Sequence, residues 1–214
     1  MKNPLIMNDK KLKIIVIAGG GIYGIIPCYF LKTLGEQGVN NIDIFGGTSV
    51  GGIISLHLAN YLNPIKLYDD FKSNVSKFFT KEFINIFNPF TSKYSEKGIE
   101  NSLKSIFTSK VCECQKNFVV PSFSLKSIEP VIFHNFDKSF DHMKLWKIAR
   151  ATSAAPIFFP PFSENILIDG GILENLPIIT TASIVCKYFN KKPSDLDIFA
   201  IGTGKKDKNL TRTK

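Results

Sequence analysis

The sequence predicts an α/β fold with a mainly parallel central sheet. Three observations carry that expectation. Apolar, β-branched runs end at glycine-rich turns, helical stretches follow those turns directly, and the composition can bury a core. The 214 residues are 44% hydrophobic and 21% charged, which describes a folded chain of a length suited to one large domain.

The elements follow in order. Residues 13–18, Lys-Ile-Ile-Val-Ile-Ala, read as a strand covered on both faces. After Gly19-Gly20-Gly21, residues 22–35 suit a helix with Pro27 in its early turns and Gly35 and Gly38 near its end. Residues 41–45 form a second short strand and residues 51 to about 61 a second helix. Strand, helix, strand, helix is a βαβα unit, so parallel pairing through right-handed crossovers is expected. Residues 64–110 look helical and carry Phe71, Phe78, Phe79, Phe83, Phe87 and Phe90. These either pack the core or form a cap that lines an apolar binding site. Two strands near 118–126 and 131–136 come next, then a helix from about His142 through Ala155, stopped at Pro156. A short strand at 166–168 ends in Asp169-Gly170-Gly171, and a helix at 178–189 and a strand at 197–202 complete the sheet.

Charge and cysteine usage narrow the function classes. Of the formal +9, residues 1–13 contribute +3 and residues 205–214 contribute +4, leaving +2 for everything between. The basicity therefore belongs to two tails, 1–12 and 205–214, flanking a domain at 13–204. No nucleic-acid partner is expected, while weak attraction to anionic lipid is. Cys28, Cys112, Cys114 and Cys186 have no disulfide-framework spacing, and the pair at 112 and 114 lacks a second ligand pair for zinc. A reduced, cytoplasmic setting is expected. Residues 14–31 are uncharged, a length at which a membrane span is thinkable, and basic residues precede them. The three glycines in the middle argue against both a span and a signal peptide, since each costs a helix about 1 kcal/mol relative to alanine.

Three motifs carry chemistry. Gly47-Thr48-Ser49-Val50-Gly51 is a G-x-S-x-G sequence where a strand ends and a helix begins. That context strains a nucleophile into exposure, with small neighbours for close chain approach, and gives it the positive end of a helix. The plainer reading is a glycine-rich turn with an ordinary serine. Gly19-Gly20-Gly21-Ile22-Tyr23-Gly24 offers backbone N–H groups at a helix start, an anion site that would serve as an oxyanion hole beside Ser49. Gly19, Gly21 and Gly24 also satisfy G-x-G-x-x-G, with Asp43 nineteen residues after Gly24, so a nucleotide-binding protein is the rival. That acid should close its strand, whereas Asp43 is expected inside one. Asp169-Gly170-Gly171 would present a carboxylate on a tight turn, or form an Asx turn and nothing more.

Taken together, the three motifs resemble the patatin-like phospholipase family, in which a glycine-rich oxyanion loop, a G-x-S-x-G nucleophile and an Asp-Gly-Gly follow in this order. Residues 149–156, Ala-Arg-Ala-Thr-Ser-Ala-Ala-Pro, then Phe159-Pro160-Pro161, and finally Ile201-Gly202-Thr203-Gly204 are similar to its other stretches. The resemblance covers residues 13–204. It implies a three-layer α/β/α fold and a phospholipase A-type lipid acyl hydrolase working through a Ser49–Asp169 dyad and an acyl-enzyme. Gly19, Gly20 and Gly21 would be the oxyanion loop, with Gly24, Gly47, Gly51, Gly170 and Gly171 supporting the motifs. The substrate would be a membrane lipid or other acyl ester met at a peripheral membrane surface, with no metal or organic cofactor. The alternative is a nucleotide- or lipid-binding protein without hydrolytic activity. Tyr23 stands where many members have Arg or Lys, and Ala18 where many have an acidic or hydroxyl residue.

Histidine geometry favours a dyad. His57 falls eight residues after Ser49 on one helix, about 12 Å along its axis, and no histidine follows Asp169. A triad would have to use His134 or His142 with an earlier acid. Phe158, Phe159 and the aromatic 64–110 region are the candidates to hold an acyl chain.

Overall fold

The computed structural model describes residues 11–79, 92–163 and 165–204. Nearly all of the two expected tails, together with Phe83, Phe87 and Phe90, lies outside these. The apolar run at 12–17 forms β1 (Leu12–Ile17), paired in parallel with β2 (Ile44–Gly47) on one side and β6 (Leu196–Ile201) on the other. Beyond β2 lies β3 (Asn117–Ser124), also parallel. Then β4 (Glu129–His134) pairs antiparallel with β3, and the short β5 (Leu167–Asp169) pairs antiparallel with the far end of β3. The result is a six-stranded, mixed but mostly parallel sheet in the order β4-β3-β2-β1-β6, with β5 alongside β3.

Alternation along the strands sorts two cores. Ile15, Ile17, Phe45, Phe118 and Val120 face the larger one, shared with α1 (Ile25–Asn40), α2 (Val50–Tyr61) and α5 (Leu145–Thr152). Ile14, Val16, Ile44 and Val119 face the smaller one under α6 (Ile178–Phe189). Helices thus cover both faces of the sheet, the three-layer α/β/α arrangement. Two further helices, α3 (Pro64–Phe78) and α4 (Glu96–Ile106), lie over α1, α2 and α5. Every residue of α2 from Val50 to Asn60 is buried, so its apolar, glycine-rich sequence reads as a central helix with no solvent face.

The uncharged run at 14–31 divides into β1, a 3-10 turn (Gly21–Gly24) and the start of α1. Among the described residues no helix is long and apolar enough to cross a membrane. Among the boundaries that differ from the sequence reading, three have a local cause. α1 continues to Asn40 across a break at Gly35 (φ 76°, ψ 173°), a conformation open to glycine. β2 begins at Ile44 because Asp43 turns its carboxylate to the Lys13 N–H, 2.8 Å away. α5 is confined to Leu145–Thr152. Turns occupy residues 140–143, and past Thr152 the Ser153 hydroxyl folds back onto the Ala149 carbonyl at 2.7 Å.

Candidate active site

β2 delivers the chain to Ser49, which stands at the N-cap position of α2 with φ 56° and ψ −124°. A non-glycine residue held at positive φ is strained and needs its surroundings to fix it. They do. The Ser49 N–H donates to Thr152 Oγ1 at 3.0 Å, and the Thr152 hydroxyl donates to the Pro121 carbonyl at 2.6 Å. Gly51 is packed so tightly under β1 that a Cβ would lie 2.2 Å from the Ile17 carbonyl oxygen. A serine at an N-cap ordinarily bonds its hydroxyl to the first-turn N–H groups. The Ser49 hydroxyl caps nothing.

The Asp169 carboxylate lies beside that hydroxyl, close enough for the hydroxyl to favour the ionised acid, and both line the same cavity. Asp169 closes β5 and is only 6% exposed. Its N–H is fixed to the Ala154 carbonyl at 3.0 Å, and its carboxylate accepts the Gly171 N–H at 2.7 Å. The Asx turn foreseen as the plain reading is therefore present, and the same carboxylate also reaches Ser49. Burial pushes the Asp169 pKa above its ordinary value, while the neighbouring Ser49 hydroxyl and the Gly171 N–H pull the other way. Gly170 lets the turn close, since a Cβ there would meet the Pro121 carbonyl oxygen at 2.4 Å.

The glycine-rich loop arrives beside this pair: a Cβ on Gly19 would lie 3.2 Å from that of Ser49. Here the structure narrows the expectation. The Gly19 N–H donates to the Asn175 carbonyl at 2.9 Å, so it is not available to an oxyanion. The Gly20 and Gly21 N–H groups have no backbone acceptor among the described residues, and both glycines border the cavity in front of Ser49. Gly24 and Gly47 are packing positions; added Cβ atoms would lie 2.4 Å from Val50 Cγ2 and 2.3 Å from the Gly51 carbonyl oxygen.

The cavity measures about 530 Å³ and opens over Ser49, Asp169 and Gly171. Phe78, Phe79, Tyr94, Ile99, Phe158 and Phe159 wall it. The aromatic region thus divides between the two readings, with Phe71 buried in the core and Phe78 and Phe79 on the cavity wall. A mostly apolar hollow with a few convergent polar groups is the form of a small-ligand site. No histidine borders it. His57 is buried and bonded to Asp70 at 2.9 Å, His134 lies among Phe136, Phe140 and Tyr188, and His142 is exposed. Among the described residues no group of three or more His, Cys, Asp or Glu is arranged to hold a metal ion. The nucleotide fingerprint loses its partner acid, because Asp43 stands ahead of β2, at the end of the strand away from the site.

The match to the family model described as Patatin-like phospholipase runs over residues 15–182, well over half of the chain and spanning Ser49, Asp169 and the glycine loop. The chain belongs to the patatin-like phospholipase family. Patatin-like protein 4 of Arabidopsis thaliana is 28% identical over 240 residues, covering 89% of this chain but only 59% of that relative. The chain therefore spans little more than half the length of such a relative. Probable inactive patatin-like protein 9 of the same plant is 29% identical over 240 residues, covering 92% of this chain and 62% of the relative. Membership of the patatin-like family thus leaves activity to be argued from the site itself. A solved structure, VipD from Legionella pneumophila, shares the fold at 12% identity with a TM-score of 0.53, over 94% of this chain and 52% of that one.

Three residues of the patatin-like site were given no role in the sequence reading: Thr152 and Thr203, which fall inside the family-like stretches 149–156 and 201–204 and hold the Ser49 amide and Gly19 respectively, and Asn175, which was not singled out and also holds Gly19. The Thr203 hydroxyl donates to the Gly19 carbonyl at 3.0 Å and the Asn175 amide to the same oxygen at 3.3 Å. The segment after Asp169 also grips the turn that carries Ser49, where the Thr48 hydroxyl donates to the Glu174 carbonyl at 2.8 Å.

Proposed function

We propose that the protein is a phospholipase A-type lipid acyl hydrolase in which Ser49 attacks and Asp169 carries the proton. The observation that carries this reading is the Ser49 hydroxyl itself. It stands at a helix mouth, caps no backbone group, and shares an apolar cavity with a buried carboxylate whose ionised form it favours. In the first step Ser49 Oγ forms a bond to the ester carbonyl carbon and its proton passes to Asp169. The negative charge on the former carbonyl oxygen is met by the Gly20 and Gly21 N–H groups, each such donor being worth about 10²–10³ in rate. Collapse breaks the ester C–O bond, the leaving alcohol takes the proton from Asp169, and the acyl group stays on Ser49. Water then attacks the acyl-enzyme and gives a proton to Asp169. The second collapse returns that proton to Ser49 Oγ and frees the fatty acid. A free aspartate, with pKa about 3.9, is a weak base for such work, and burial strengthens it. These steps draw on no metal or organic cofactor.

The acyl chain lies along Phe78, Phe79, Phe158 and Phe159, and the protein meets its substrate as a peripheral partner of a lipid surface. Exposed apolar side chains at the cavity mouth, Ile22, Tyr23 and Ile172, support that contact.

A serine-reactive fluorophosphonate probe and a fatty-acid release assay test the reading. Wild-type protein is expected to label at Ser49 and release fatty acid from phospholipid vesicles. Ser49→Ala loses both, and Asp169→Asn loses about 10³-fold or more of turnover while still melting cooperatively. An unlabelled wild-type protein, or an Asp169→Asn variant with full turnover, overturns the dyad.

A further inference from the structure

We infer that Thr203, seconded by Asn175, is a positioning residue that sets the direction of the Gly20 N–H. This inference rests on the hydrolase reading above. The Gly19 carbonyl oxygen accepts from the Thr203 hydroxyl at 3.0 Å and from the Asn175 side-chain amide at 3.3 Å. On the other side of the same residue, the Gly19 N–H donates to the Asn175 backbone carbonyl at 2.9 Å. Both polar groups of Gly19 are thereby tied to segments 156 and 184 residues away.

The consequence follows from peptide geometry. The unit joining Gly19 to Gly20 is planar and trans, as are all those described here, so the Gly19 C=O and the Gly20 N–H point to opposite sides. Holding the oxygen toward Thr203 and Asn175 holds the Gly20 N–H away from them. Gly20 borders the cavity together with Ser49. Two neighbouring glycines resist a peptide flip poorly, because neither has a Cβ to oppose the rotation. A flip would turn the N–H toward Thr203 and leave a carbonyl oxygen where an oxyanion must form. Thr203 blocks it by bond and by bulk: it is 8% exposed, and a Cβ on Gly20 would lie 2.2 Å from its Oγ1. The donor is preorganised by a hydroxyl that touches no substrate.

Loss of that hydroxyl weakens the site for the transition state and leaves the acyl chain's own contacts untouched, so the effect belongs in kcat and not in KM. The experiment measures both for a soluble short-chain nitrophenyl ester, with thermal midpoints alongside. Thr203→Val keeps the shape and removes the donor. Its kcat is expected to fall about tenfold to a hundredfold, within the worth of one oxyanion donor, with KM within about twofold. Thr203→Ser restores the donor and returns kcat to within about threefold of wild type, and Asn175→Ala gives a smaller loss of the same kind. A trifluoromethyl ketone, which forms a Ser49-bound oxyanion, is expected to lose affinity for Thr203→Val by the same factor as kcat. Wild-type kcat in Thr203→Val overturns the inference. So does a loss that Thr203→Ser fails to rescue, or one that leaves ketone affinity unchanged. An inactive wild-type protein overturns the hydrolase reading and this inference with it; an active wild type with an unaffected Thr203→Val overturns this inference alone.

Discussion

Asp169 stands under opposed influences, since burial favours its protonated form while the Ser49 hydroxyl and the Gly171 N–H favour the carboxylate, and burial prevails. Its pKa in the folded protein therefore lies above the ordinary 3.8. As the proposed base it must be ionised, so the acid limb of a kcat/KM profile on a soluble ester is expected to inflect above 3.8, and an inflection at or below that value would remove Asp169 from the role. Stability runs the other way. A group whose folded pKa is raised favours the fold at low pH and loses that advantage as pH climbs through the folded value. At neutral pH the ionised, buried carboxylate thus opposes folding, and Asp169→Asn should melt no lower than wild type at pH 7. Sequence made Ser49 and Asp169 visible because each sits in a short motif with a local steric reason. Thr152 and Thr203 lie in family-like stretches that gave them no role of their own, and Asn175 lies in none. They are ordinary polar residues whose roles exist only once segments 103 to 184 residues apart are brought together.

Among the elements, α2 shows how far local sequence reaches. Its start was legible from the glycines on either side of Ser49, and its full burial explains why those glycines are needed: the helix mouth lies directly on the backbone of β1. Gly51→Ala would drive a Cβ to 2.2 Å from the Ile17 carbonyl oxygen, a neighbour with no side chain to swing aside. The expected cost is about 3 kcal/mol, the upper part of the overpacking range. That corresponds to a fall of roughly 6–12 °C in the thermal midpoint for a chain of this size. A midpoint within about 2 °C of wild type would show that α2 can slide away from β1. The ends of α5 were less legible, for a reason of the same kind. Residues 153–155 have helix-forming composition, yet the Ala154 carbonyl is taken by the Asp169 N–H at 3.0 Å. A tertiary bond made by the site ends the helix early, and nothing in the local pattern announces it.

At the scale of the whole molecule, apolar surface gathers where the cavity opens. Tyr23 and Ile172 on the mouth are joined by Ile26, Tyr29 and Phe30 along the outer face of α1, and by Ile157, the most exposed at 82%. Ile157 also sits at φ 72°, a strained place for a β-branched residue. Burial of its side chain does not compensate that strain in the free protein, whereas insertion into a lipid surface would. Lys93 adds charge at the same rim, its ammonium 5.6 Å from the centre of the Phe158 ring, a fitting partner for anionic headgroups. Ile26 and Ile157 do not border the cavity, so changing them separates docking from chemistry. The double substitution Ile26→Asp with Ile157→Asp should weaken sedimentation with phosphatidylglycerol-containing vesicles by about tenfold or more, given roughly 1.5–3 kcal/mol for full burial of each side chain. Fatty-acid release from those vesicles should fall in parallel, while turnover of a soluble short-chain ester stays within about twofold of wild type. Equal losses on both substrates would assign these residues to the fold. An unchanged vesicle affinity would mean that the lipid reaches Ser49 by a face other than the one α1 and Ile157 present.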